Sequence, residues 1–288
     1  MKDKKALQIL EKFKKARTQR QLKDDKWKEL DLFDRGEQWE VSKLPSWLPK
    51  PVTNFIHLVK TTKQAALAIK NPTGKLRPVS PLDIQSVEEL QKGYEYVWQK
   101  SNARKAVREA IGTSKLLGTG IVQIFWQEDT GVIGGTGHRY EGEIGVKEID
   151  PSSFYPDPSA TSLDECRFIH IVEKRPLEWL KSHPTFKSKL AGIKDVSQLV
   201  DNEIGEIYTR DTTAHKNDGQ VAFHQHFEKY RNKEGMWAYK VTYVAEEKVL
   251  HVIDPLEPAC YPFSILYDFP QRKDFWGKGT CELIIENQ

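Results

Sequence analysis

Three short passages between residues 33 and 83 decide how this chain is read: FDRGEQW at 33–39, KPVTNFIHLVKTTKQAALAIKNP at 50–72, and RPVSPLD at 77–83. Gly36 permits a turn, and Pro45, Pro49 and Pro51 keep the following segment extended. A helix is then expected from Thr53 or Asn54, either of which can accept from the free N–H groups of a first turn. Phe55, Ile56, Val59, Ala66, Leu67 and Ile69 would form its buried face, and Pro72 would stop it. The passage shows no catalytic apparatus.

Upstream, residues 5–33 read as a helix. Leu7, Ile9, Leu10, Phe13, Leu22, Trp27, Leu30 and Phe33 recur irregularly at helical spacing. The stripe is thin, so the helix is expected to lean on a partner surface. Downstream, residues 75–82 are extended and carry Leu76 and Val79. Asp83 or Ser86 should cap a helical stretch to about Leu117, with Ile84, Val87, Leu90, Tyr94, Val97 and Trp98 on one side and a break near Ser101-Asn102.

After Gly118-Thr119-Gly120 the period falls from 3.6 to 2. IVQIFW (121–126) and EIGVKEI (143–149) read as strands paired across the flexible connection EDTGVIGGTGHRYEG. PSSFYPDPSA (151–160) is rich in turns and RFIHIVEK (167–174) is a strand. LEWLKSHP (177–184) opens a short helix, two more helical pieces are expected to Leu199, and 200–219 reads as a loop. VAFHQHFEKY, MWAYKVTYVA and KVLHVID then form an antiparallel meander turning at RNKEG and EE. Helices first and strands later, without alternation, define an α+β fold. The expected organisation is a helical arm and linker at 1–50 and an α+β domain at 51–288. ELIIENQ (282–288) resembles the first turns of a helix, from which a longer protein is expected.

A chain of 288 residues can bury a sizeable core, and 10% aromatic content with eight Trp excludes a disordered chain. No apolar run reaches the roughly 18 residues of a membrane span, and the N-terminus has no apolar signal core. Cys166, Cys260 and Cys281 lack metal-type spacing and read as reduced thiols. Net charge is +3, but residues 1–30 hold eleven Lys and Arg against five Asp and Glu. Such an arm is either a solvated helix face or a contact for phosphates.

Three constellations invite chemistry. GVIGGTGHR lacks the Gly-Lys-Ser/Thr of a phosphate loop: Gly137 is followed by His138 and Arg139, then by a strand, which reads as a hairpin loop. His224 and His226 share one side of a strand, and a zinc site would need a third ligand, for which His251 is the candidate. The alternative is that they are interfacial or exposed histidines. Asp150, Asp157 and Asp164 surround a proline-stiffened loop, which reads as turn chemistry rather than a cation site. No nucleophile elbow, Ser/His/Asp set or HExxH is present. The sequence therefore assigns no catalytic, cofactor-binding or metal-ligating residue.

Read in order, several blocks resemble the portal proteins of tailed phages, the short-tailed type above all. They are GEQW at 36–39; Val52-Thr53-Asn54-Phe55-Ile56 opening a helix to Asn71-Pro72; Pro78-Val79-Ser80-Pro81 with Asp83; Gly118-Thr119-Gly120 entering IVQIFW; Gly145-Val146 through DPSSFYPDPSA; and Tyr261-Pro262-Phe263 with Gly277-Lys278-Gly279 and Glu282. The resemblance implies a wing-like α+β portion of a ring of about twelve copies at one capsid vertex, through which double-stranded DNA is packaged and ejected. It implies the packaging terminase, capsid and tail proteins as partners, no membrane, no cofactor and no catalytic residue. It places the protein in the virion, and in the host cytoplasm during assembly. Trp39, Asn54, Pro72, Pro151, Pro158, Pro262 and Gly277 would cap, turn or pack. A basic nucleic-acid-binding module and an unrecognised hydrolase are the rival readings.

Overall fold

A computed structural model describes residues 3–39, 45, 47–69, 74–80, 83–127, 132–133, 139–140, 142–183, 185–186, 220–245 and 247–285. The fold is α+β, helices first and antiparallel strands after. Two compact units divide within the first helix: residues 1–29, 150–261 and 271–275 form one, and 30–149, 262–270 and 276–288 the other.

In the first unit, helix α1 (Lys4–Asp34) begins the chain. Its buried positions are Ala6, Ile9, Phe13, Ala16, Arg20, Asp24 and Trp27, three or four residues apart, with Leu30 continuing them past the division. Leu22, expected in the stripe, is exposed. The partner surface is the chain's own sheet: Phe13 and Ala16 pack with Tyr155, Phe168 and Val172, and Ala6 and Ile9 with Val244.

That sheet is a continuous antiparallel meander of five strands. They are β5 (Phe154–Pro156), β6 (Phe168–Pro176), β7 (Gln220–Arg231), β8 (Trp237–Ala245) and β9 (Lys248–Ile253). β5 was read from sequence only as an irregular turn. A short helix α5 (Leu177–Ser182) follows β6. It buries Leu177 and Leu180 with Phe186, Val221, Phe223 and Leu250 on the sheet side opposite α1. The helical pieces expected to Leu199 and the loop at 200–219 lie almost wholly outside the described residues.

The second unit holds α2 (Phe55–Ile69), α3 (Ile84–Lys100) and α4 (Ala103–Leu117). Its sheet has the order β10-β1-β4, from β1 (Thr119–Gln127), β4 (Glu143–Ile149) and β10 (Phe263–Tyr267). The expected β1–β4 pairing is present, with Phe125 opposite Gly145. Within the connection, β2 (Val132–Ile133) and β3 (Arg139–Tyr140) pair as a two-stranded ribbon. β10 was not foreseen, and α6 (Thr280–Ile284) ends the described chain.

Asn54 caps α2 as expected: its Oδ1 accepts from His57 N at 2.9 Å, while its Nδ2 donates to Asp34 O at 2.7 Å. Asp83 does not cap α3; it accepts from Ser80 N at 3.3 Å instead. The chain breaks at Asn102, which adopts a left-handed conformation. Asn71, Pro72 and Pro81 lie outside the described residues.

Two glycine motifs about 158 residues apart meet in this unit. Gly118 has φ +89°, and a Cβ there would stand 2.3 Å from Gly277 O; a Cβ on Gly277 would stand 2.4 Å from Gly118 O. Thr119 Oγ1 accepts from Gly277 N at 2.9 Å. Only glycine allows two backbones this close. Below them, Asp268 accepts from Thr280 N (2.7 Å), Thr280 Oγ1 (2.6 Å) and Lys115 Nζ (2.5 Å), fixing the start of α6 to the end of α4.

Candidate functional site

Antiparallel register places His170 of β6 directly opposite His226 of β7, and His226 opposite Thr242 of β8. His224, two residues from His226, shares that side of the sheet. Three imidazoles therefore meet beneath α1. His170 Nε2 lies 2.8 Å from His224 Nδ1, and His170 Nδ1 lies 3.4 Å from His226 Nδ1. Relative exposures are 0% for His170, 5% for His224 and 1% for His226. Phe13 of α1 stacks on His170 at 4.9 Å and meets His224 edge-on at 5.3 Å.

This arrangement corrects the sequence reading twice. His224 and His226 are buried, neither exposed nor interfacial. The third member is His170, while His251 pairs with Tyr243 and so points from the opposite side of the sheet. Antiparallel pairing of RFIHIVEK with VAFHQHFEKY could have found it, since the centres of those runs hold His170 and His226. His170 uses one nitrogen for each neighbour, so the three form a line rather than a cage. Among the described residues no group of three or more His, Cys, Asp or Glu is arranged to hold a metal ion.

Burial holds all three imidazoles neutral: His224 is lowered to about 4, His226 to about 3, and His170 well below the usual range. For His226, Glu228 opposes this lowering, and Lys12, Lys240 and Lys5 add to it. Each neutral ring carries one N–H, so His170 donates in one link and accepts in the other. His226 Nε2 and Thr242 Oγ1 are both buried without a hydrogen-bond partner among the described residues. If His226 donates from Nδ1, Nε2 keeps only a bare lone pair, the cheaper of the two arrangements.

Two of the three carboxylates around the proline-rich loop, Asp150 and Asp157, are consumed internally. Asp150 accepts from Ser152 N at 2.8 Å. Asp157 accepts from Arg167 Nε (2.5 Å) and Nη2 (3.0 Å) and from Ser159 N (3.1 Å). Its burial favours the neutral acid, but these donors outweigh burial and hold the carboxyl at about 2. Asp164 contributes a carbonyl, accepting from Lys229 Nζ at 3.0 Å. Gly137 and His138 lie outside the described residues.

The same loop is clamped by α1. Arg20, 3% exposed, donates to the carbonyls of Pro151 (2.9 Å), Phe154 (2.6 Å) and Ser152 (2.6 Å), and its guanidinium lies 3.7 Å over the Tyr155 ring. Gln19 Nε2 donates to Pro158 O at 3.0 Å. Pro262 O accepts from Ile124 N at 3.0 Å, and Trp39 Nε1 donates to Pro51 O at 3.0 Å. Of the basic arm, Lys12 pairs with Glu228, Arg20 with Asp24 and Lys23 with Asp274.

The second unit carries a different candidate surface. Of the six residues expected to bury α2, only Ile56 is buried; Phe55 is 54% and Ile69 78% exposed, and Ala66 and Leu67 are exposed too. α3 buries none of its 17 residues, and Leu90 is 63% exposed. Leu58, Val79, Ile84 and Tyr96 add to this uncovered apolar surface, as do Ile124, Trp126 and Ile144 on one side of the three-stranded sheet. Val59, Val87, Tyr94, Val97 and Trp98 are half-buried, so each helix is covered on part of its apolar face and open on the rest. Single exposed apolar residues are ordinary, but several on adjacent helices are not.

No protein-family model matches the chain, and no curated protein matches it.

Proposed function

We propose that this chain is a subunit of a tailed-phage portal ring, the passage at a capsid vertex for double-stranded DNA. The observation that carries the reading is the partly uncovered apolar surface of α2 and α3, in a unit that holds most of the blocks of the portal resemblance. A cyclic ring joins one face of each subunit to a different face of its neighbour. An apolar face left open in the isolated chain suits that role: its burial would contribute about 25 cal/mol per Å². The close meeting of Gly118-Thr119-Gly120 with Gly277-Lys278-Gly279 gives two of the family-like blocks one packing role and adds support. On this reading the partners are about eleven further copies, the terminase, capsid and tail proteins, and the DNA in transit. No residue of the chain catalyses a reaction, and the protein resides in the virion.

The test is the mass and shape of the purified protein, by light scattering and electron microscopy. The expected result is a closed ring of about twelve copies that Leu90→Glu weakens. A protein that stays monomeric at every accessible concentration, alone and with terminase, overturns the reading.

A further inference from the structure

We propose that the line His224–His170–His226 is a proton-operated latch that holds α1 against the five-stranded sheet at neutral pH and releases it in mild acid. The proposal concerns the first unit alone and does not depend on ring assembly.

Three observations carry it. Among the described residues the imidazoles are hydrogen-bonded only to one another, at 2.8 and 3.4 Å. Their cover includes the ring of Phe13, with Ala16 beside it, so α1 is what separates them from water. Finally, His226 Nε2 is buried with no acceptor among the described residues, so a proton added there meets no partner while α1 is seated. A protonated His170 would need acceptors on both sides, and its neighbours would have to rearrange to supply them.

The surrounding charges do not rescue the charged form. From α1, Lys5 and Lys12 oppose protonation of His226; from β8, Lys240 does the same. From β7, Glu228 alone favours it, and that carboxylate is already held by Lys12 at 2.7 Å and Lys240 at 2.8 Å. On β5, Tyr155 stands opposite His170 in register, with Arg20 stacked on its ring and Asp24 paired to Arg20. Burial keeps the Tyr155 hydroxyl protonated and supplies no anion. Proton uptake is therefore relieved by opening, because lifting α1 returns the rings to water and to an ordinary value near 6.5.

The direction follows from linkage. The open state binds protons more readily than the closed state below about pH 6.5, so closure is fully favoured above that pH and weakens as pH falls toward 4. At pH 5.5 each exposed histidine shifts the equilibrium about tenfold toward opening, and three shift it about a thousandfold.

Hydrogen exchange on the full chain, corrected for intrinsic rates, tests this. Peptides within residues 4–20 are expected to lose protection by at least about a hundredfold between pH 7.5 and 5.5. Peptides from β7 and β8 keep theirs. His226→Met, apolar and able to fill the site, should reduce the pH dependence by about one proton. Protection of α1 that is independent of pH, or a loss shared equally by β7 and β8, overturns the latch. Should His226→Met fail to fold, imidazole titration of the unmodified protein by NMR decides. Rings that titrate only as α1 opens support the proposal, and rings that titrate near 6.5 with α1 still protected overturn it.

Discussion

Arg20 occupies a buried position of α1 where an apolar residue would ordinarily sit. Its neighbours in the buried seam are Ala16 and Asp24, so the middle of this seam is small or charged. That is why the apolar stripe looked thin between Phe13 and Trp27 in the sequence: periodicity counts apolar side chains, and a paired arginine and aspartate are invisible to it. Arg20 donates to three carbonyls and is ion-paired with Asp24 at 2.8 Å. Arg20→Met is expected to lower stability by about 3–5 kcal/mol, because it strands a buried carboxylate. Arg20→Met with Asp24→Leu should recover part of that loss, and equilibrium urea unfolding of both variants measures it. The histidines followed a related rule. Spacing alone puts His224 and His226 on one side of a strand, but the place of His170 follows from the strand register, which residue spacing within one strand does not contain.

At the scale of elements, the sequence was most legible where period and punctuation agree. The start of α2, the boundaries of α4, the break at Asn102, the switch to strands at Gly118-Thr119-Gly120 and the three meander strands all carry such signals. β10 and β5 did not, being five and three residues long. Periodicity also indicates which residues share a side of a helix without saying whether that side is covered, and α2 and α3 show the difference. Leu90→Glu on α3 should accordingly change the stability of the isolated chain by no more than about 0.5 kcal/mol, even where it weakens assembly. Gly118→Ala is the opposite case. Its positive φ and the 2.3 Å approach to Gly277 O leave no room for a methyl group. It is expected to cost at least about 2 kcal/mol and to loosen α6 from α4, visible as faster amide exchange at residues 280–284.

Over the whole molecule, two sets of groups give acid stability two separate windows. The imidazoles are lowered from 6.5, so what they contribute is complete above about pH 6.5 and is lost as pH falls toward 4. Asp157 is buried and Glu228 half-buried, which alone would raise both. Donors from Arg167 and Ser159 for one, and from Lys12 and Lys240 for the other, outweigh burial and hold both at about 2. Their contribution is complete above about pH 4.5 and disappears toward pH 2. Thermal melting from pH 8 to 2 should therefore decline in two steps, with His226→Met flattening the upper and Asp157→Asn the lower.

The seating of α1 against β6, β7 and β8 carries a consequence for the newborn chain. Its resting place is built from strands encoded about 200 residues later, and a ribosome adds roughly 5–20 residues per second. For about 10–40 s of synthesis the emerging helix has no sheet to lie on, and Phe13 and Trp27 stand in water. In that interval the nascent segment is open to a holding chaperone or a protease.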